Sequence, residues 1–155
     1  MLHAALFFAR FYSSAWVGAA TLFVIVGVLE VTRGGLDSTT KDILVGVRFP
    51  PFYLLGAILM SLAWLGACAA ELHPDLARRR RAFAILSLLG ALTLMFVDYF
   101  WIYSPLAAMV NPPGQARPAP FRAYHDASKY INLLGLMFVV VAAVALNWPP
   151  RRKDV

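Results

Sequence analysis

The chain has 155 residues, of which 61% are hydrophobic and only 14% are charged. An average soluble domain has about 45–50% apolar and about 25% charged residues. The composition therefore disfavours a soluble enzyme or a disordered chain, and one cysteine, Cys68, disfavours a secreted disulfide scaffold. It favours a protein whose main solvent is lipid, and its length suits about four membrane spans.

The first apolar run covers residues 4–31 and is interrupted only by Arg10 and Glu30 near its ends. No basic segment precedes the run, and it is longer than the hydrophobic stretch of a cleavable signal peptide. We therefore predict a membrane helix that is retained in the mature protein.

The polar connection that follows contains Gly34 and Gly35, which stop the first helix. Asp37 or Ser38 is suited to cap a short amphipathic helix that ends at about Val47. Pro50-Pro51 then marks the start of the next span, because proline costs little in a first helical turn. The four predicted spans are about residues 4–31, 52–72, 82–103 and 122–146.

The net charge of +6 is attributed to membrane topology and not to a nucleic-acid partner. Four consecutive arginines, residues 78–81, stand in the short second connection, and three more basic residues, 151–153, follow the last span. Because basic residues concentrate in cytoplasmic segments, both termini are predicted to be cytoplasmic. The expected architecture is an all-α four-helix bundle in the bacterial cytoplasmic (inner) membrane, with the lipid bilayer as its first partner.

Asp98 is the most informative polar residue, because it lies inside the third span about 24 Å from its cytoplasmic end at helical rise. A buried carboxylate needs a cation or hydrogen-bond donors. Arg48, Arg122 and Lys129 are the basic candidates on the same side. Asp98 is therefore either half of a structural ion pair or part of a proton, metal or ligand site.

The fourth span begins with a polar stripe in which Arg122, His125, Lys129 and Asn132 follow helical spacing. Such a stripe should face the bundle or a water-filled cavity. His125, together with Asp98 and Asp126, is the metal candidate, although no second histidine lies four residues away. His3 and His73 both belong to the opposite side, where they could meet.

Aromatic residues are frequent on the outer side and form either an interfacial belt or the wall of a pocket. The predicted ligand site combines them with the polar residues: Arg48, Asp98, Tyr99, Trp101, Tyr124, His125, Lys129 and Asn132. Arg10 and Glu71 are a second predicted pair, at the cytoplasmic side. No P-loop, nucleophile elbow, zincin or dinucleotide-binding motif occurs.

Three segments resemble the domain-of-unknown-function 4149 family, the bacterial relatives of transmembrane protein 205. They are Trp16-Val17-Gly18 in the first span, Arg48-Phe49-Pro50-Pro51-Phe52-Tyr53 before the second, and Phe121-Arg122-Ala123-Tyr124-His125-Asp126-Ala127-Ser128-Lys129-Tyr130-Ile131-Asn132-Leu133 at the start of the fourth. Asp126 stands where the family pattern has glycine. The resemblance implies a four-span membrane protein without a settled activity.

The sequence thus predicts a non-enzymatic membrane protein that binds or helps move a small ligand or ion at an outer polar pocket. Two alternatives remain open: a structural or accessory subunit of a larger membrane complex, and a redox enzyme that uses haem or quinone. A membrane-protein partner or a second copy of the chain, forming a homo-oligomer, is a candidate partner besides the bilayer. No feature of the sequence identifies a cofactor.

Overall fold

The computed structural model describes residues 2–70, 73 and 76–149. Within these residues the fold is all-helical, without a strand. The four long helices are α1 (Leu2–Thr32), α2 (Ser38–Ala69), α3 (Arg78–Met109) and α4 (Phe121–Asn147). Each is long and apolar enough to cross a membrane, which confirms the predicted all-α membrane architecture.

The helices pack in a closed ring, because α1 contacts α2, α2 contacts α3, α3 contacts α4, and α4 returns to α1. Short connections make consecutive helices antiparallel. We call the end that carries the connections 33–37 and 110–120 the loop end. The opposite end, which carries His3, His73 and Trp148, is called the terminal end.

Large apolar side chains cover the outside of this ring, as expected for a surface in contact with lipid. Small residues occupy the contacts between helices. A Cβ atom at Gly66 of α2 would lie 2.8 Å from the carbonyl oxygen of Ala5 and 2.9 Å from the nitrogen of Ala9. The backbones of α1 and α2 therefore approach each other closely at this glycine, as small residues permit in lipid.

The structure differs from the sequence interpretation at the start of α2. The predicted amphipathic loop helix is not separate but forms the first turns of one continuous helix that passes through Pro50 and Pro51. Asp37 is the N-cap of this helix, and its Oδ1 accepts a hydrogen bond of 2.7 Å from the backbone N–H of Thr40. That hydrogen bond lowers the pKa of the Asp37 carboxyl.

Two ion pairs at the loop end attach this extension of α2 to its neighbours. Asp42, whose side chain is buried, accepts hydrogen bonds from the Arg117 guanidinium, one of them at 3.1 Å. It also accepts a hydrogen bond of 2.9 Å from the backbone N–H of Gly114, which has a left-handed φ of 83°. Arg48 pairs with Glu30 of α1. These contacts hold the turns before the prolines in helical register.

Helix α3 continues past Pro105 to Met109 and contains a π-helical segment, Asp98–Tyr103. Proline lacks an N–H group, and its ring displaces the carbonyl one turn earlier. The backbone N–H of Ser104 bonds to the carbonyl of Tyr99, five residues back, so the chain adopts the wider turn directly before Pro105. π-Helical turns of this kind are frequent at functional sites.

Basic side chains close the terminal end. Nε of Arg10 donates a hydrogen bond of 2.8 Å to the carbonyl of Leu146, and Arg80 donates to the carbonyls of Ala145, Trp148 and Pro149. The last carbonyls of α4 thereby obtain partners that the helix cannot supply. The predicted partner of Arg10, Glu71, lies outside the described residues, as do the basic residues 151–153.

Candidate functional site

Asp98 is enclosed at the centre of the bundle, with none of its surface exposed. It begins the π-helical segment, about 16 Å below the loop end of α3 at 1.5 Å per residue. At that depth the side chain is surrounded by helices whose outer surfaces are largely apolar. An ionised carboxylate in such a place carries a desolvation penalty of several kcal/mol unless partners offset it.

Three helices supply the surroundings of this carboxyl. The hydroxyl of Tyr53 on α2 and the side-chain amide of Asn132 on α4 both donate hydrogen bonds to its Oδ2 atom. The same Asn132 amide nitrogen lies 2.9 Å from the carbonyl of Ser128 and 3.3 Å from its hydroxyl. Asn132 is therefore held in place by its own helix while it contacts Asp98. We call Asp98, Tyr53, Asn132 and Ser128 the Asp98 cluster.

The second carboxyl oxygen of Asp98, Oδ1, has no hydrogen-bond partner among the residues that the structure describes. In that part of the chain the other buried polar side-chain atom without one is Nε1 of Trp64, which belongs to a neutral group. Buried carboxyl oxygens are normally satisfied, and an unsatisfied one costs more than a neutral donor. Oδ1 of Asp98 can therefore bind one further hydrogen-bond donor or cation.

A groove between α2 and α3 borders the cluster and has a volume of about 230 Å³. Tyr53 and Tyr99 belong to its wall, and their ring centroids lie 5.1 Å apart. The remaining wall is apolar: Pro50, Leu54, Ala57, Met95, Phe96 and Phe100. Tyr53 thus lines the groove, and its hydroxyl donates a hydrogen bond to Asp98.

The predicted cationic partners of Asp98 lie elsewhere. Arg48 forms its ion pair with Glu30, stacks its guanidinium over the ring of Phe23 at 4.8 Å and lies 3.4 Å from the Phe23 carbonyl. Nζ of Lys129 lies 2.8 Å from Oδ1 of Asp126. Each base therefore has a nearer acid, and Asp98 is held by neutral donors instead.

Only part of the polar stripe of α4 faces the interior of the bundle. Ser128 and Asn132 point inward, whereas Lys129 follows Ser128 by one residue and is turned about 100° away around the helix. The side chains of Arg122, His125 and Lys129 are 92%, 59% and 55% exposed and surround Asp126 on the outer face. Only Asn132 of the predicted stripe reaches Asp98.

The remaining predicted residues occupy different places. Tyr99 lines the groove, Tyr124 is half-buried at the loop end, and Trp101 is 67% exposed on the outer surface. Nδ1 of His125 lies 3.9 Å from Asp126 and its ring stacks on Phe121. Of the predicted pocket residues, only Asp98, Tyr99 and Asn132 thus lie near one another.

A metal site that combines His125 and Asp126 with Asp98 has no geometric support. The described residues contain no group of three or more His, Cys, Asp or Glu side chains placed to hold a metal ion. His125 and Asp126 lie on the exposed face of α4, away from the partners of Asp98. His3 and His73 do meet at the terminal end, where their ring nitrogens lie 2.9 Å apart.

Two members of the Asp98 cluster were missing from the predicted site. Ser128 stands four residues before Asn132, a helical spacing that places both on one face, so this residue could have been found. Tyr53 offers no such signal, because it meets Asp98 across 45 residues of sequence and appears only as one of many aromatics. The arrangement as a whole is that of four helices long and apolar enough to span a membrane, with a polar cluster between them.

Comparisons with family models, with curated proteins and with solved structures found no match for this chain.

Proposed function

We propose that this protein binds, or helps move, a small ligand or ion at the Asp98 cluster and that it is not an enzyme. The observation that carries the proposal is the fully buried Asp98 carboxyl, in which Oδ2 accepts two hydrogen bonds and Oδ1 accepts none. Ionisable residues inside membrane spans are costly and mark ligand or ion pathways. A purely structural carboxyl would be expected to have both oxygens satisfied.

The proposed location is the bacterial cytoplasmic membrane, with the terminal end in the cytoplasm. The four adjacent arginines at the start of α3 support this orientation, because positive charge concentrates in short cytoplasmic connections. The Asp98 cluster then lies in the outer half of the bilayer, within reach of ligands from the periplasm or cell exterior.

The test measures the thermal unfolding midpoint of the protein in lipid nanodiscs against a panel of probes. The panel contains sodium, potassium, magnesium and calcium chlorides, a pH series and benzylamine. A bound ligand stabilises the folded state by about 2.7 kcal/mol at a hundred times its dissociation constant. We expect at least one probe to raise the midpoint of the wild type and not of Asp98→Asn.

Asp126→Asn is the matched control, because it removes a carboxyl from the exposed face of α4 and leaves the Asp98 cluster intact. It should respond to the probes as the wild type does. The proposal fails if every probe shifts the wild type and Asp98→Asn equally. If Asp98→Asn does not fold, Asp98→Glu replaces it, since the longer side chain misplaces the carboxyl but keeps its chemistry.

A further inference from the structure

The Asp98 cluster offers a set of hard ligand atoms. Asp98 contributes two carboxyl oxygens, while Tyr53 and Ser128 contribute hydroxyls and Asn132 an amide. No imidazole or thiolate is among the hydrogen-bond partners of this carboxyl. Oxygen ligands of this kind suit hard cations and protons, whereas soft transition metals prefer sulfur and nitrogen.

Charge limits the ligand further. Asp98 brings one negative charge, and Arg48, Arg117 and Lys129 of the loop end are paired with Glu30, Asp42 and Asp126 instead. The groups that contact it are neutral or phenolic: Tyr53 from α2, and Ser128 and Asn132 from α4. The core cluster that contains Tyr53 adds Trp16, Tyr99 and Tyr103, none of which carries a charge. A single positive charge balances the site, whereas a divalent ion leaves one charge unbalanced in the lipid-solvated bundle.

Size gives the third limit. Asp98 has no exposed surface and is not among the residues that line the neighbouring groove, although its partner Tyr53 is. A polyatomic ligand would have to displace packed side chains before it could contact this enclosed carboxyl. A proton or a monatomic ion makes the smallest demand on this packing.

We infer that the ligand of the Asp98 cluster is one monovalent cation, H⁺ or Na⁺, held by the two oxygens of Asp98 together with the Tyr53 and Ser128 hydroxyls. This inference rests on the proposed function of the same site and names its ligand class. The two cations share the chemistry of a single charge on oxygen, and the experiment separates them.

The experiment records infrared difference spectra of the full chain in lipid nanodiscs. In the sodium arm, choline chloride is exchanged for sodium chloride at constant pH and ionic strength. In the proton arm, the pH is stepped in choline chloride alone. Sodium binding should shift the carboxylate bands, whereas protonation should convert them into a carboxylic acid band, and either response must vanish in Asp98→Asn and persist in Asp126→Asn.

Tyr53→Phe supplies a second variant that does not depend on Asp98→Asn folding. It removes one of the two donors to Oδ2 and leaves the ring in place. In the proton arm, loss of this donor leaves the carboxylate less stabilised, so the half-saturating proton concentration should fall by about tenfold. In the sodium arm the Tyr53 hydroxyl is itself a ligand of the cation, so the half-saturating sodium concentration should instead rise by about tenfold. Asn132→Leu removes the other donor and no ligand of the cation, so it should lower the half-saturating concentration in both arms.

The outcomes separate the inference from the proposed function. An Asp98-dependent band in either arm supports a monovalent cation. The inference is overturned, and the proposed function stands, if neither arm gives such a band while magnesium, calcium or benzylamine stabilises the wild type and not Asp98→Asn. If no probe acts through Asp98 in either experiment, both fail.

Discussion

Asn132 of α4 donates a hydrogen bond to Oδ2 of Asp98 in α3, and the same amide group contacts the carbonyl of Ser128 one turn earlier. The contact joins two neighbouring helices of the ring at the place where α3 changes from α-helical to π-helical geometry. The Asn132 amide therefore positions the Asp98 carboxyl and links α4 to α3.

Replacing Asn132 by leucine should lower the free energy of unfolding by about 1–2 kcal/mol. The substitution removes a donor from a buried carboxyl, and hydrogen bonds to charged groups contribute about 1.5–3 kcal/mol in water-soluble proteins and less within membranes. Unfolding in a mixed-micelle denaturant titration measures the change. Asn147→Leu is the matched control, because Asn147 is exposed on the same helix and contacts Ser14 and its own backbone.

The close approach of α1 and α2 predicts that Gly66 tolerates no side chain. In Gly66→Ala the new Cβ would meet backbone atoms of Ala5 and Ala9, which cannot rotate away, so the helices must separate. Overpacking of this kind costs about 1–3 kcal/mol, and the same denaturant titration should show that loss. Gly27→Ala is the control, since nothing lies within 4 Å of its Cβ position, and it should be neutral or slightly stabilising.

The ion pair of Asp42 and Arg117 predicts how the loop after α3 is held. Asp42→Asn leaves Arg117 without its bidentate acid and weakens the hydrogen bond from Gly114. The loss should be about 2 kcal/mol, below that of a fully buried pair because a third of the Arg117 side chain is exposed. Hydrogen–deuterium exchange should rise at residues 113–117 and stay unchanged in Asp126→Asn; equal exchange in both variants would contradict this role.

The sequence was sufficient to predict the four spans but not the side-chain partners that polar residues find on other helices. Hydropathy identifies four long helices, because lipid requires continuous apolar runs with satisfied backbones. Pro50-Pro51 suggested a break in α2 that does not occur. The ion pairs of Arg48 and Asp42 lie before the prolines and stabilise the helix against a cost of about 3 kcal/mol for an interior proline.

At the site, the need of Asp98 for partners was predictable from its place in an apolar run, and Asn132 was predictable from helical spacing. The pairing of Lys129 with Asp126 was also readable, since the two are three residues apart on one helix. The contact of Tyr53 with Asp98 was not, because it depends on how α2 and α3 align in space. Local spacing thus predicts partners within a helix and leaves partners between helices open.

The orientation of the bundle predicts which end a membrane-impermeant thiol reagent can reach. In a Cys68→Ala background, Gln115→Cys places an exposed thiol in the connection at the loop end, and Ala77→Cys places one at the terminal end without removing any arginine. If the arginines at the start of α3 hold that end in the cytoplasm, intact cells should be labelled at Gln115→Cys alone. Ala77→Cys should react only after the membrane is permeabilised, which also serves as the control for thiol accessibility. Labelling of intact cells at Ala77→Cys and not at Gln115→Cys would invert the topology and place the Asp98 cluster in the cytoplasmic half of the bilayer.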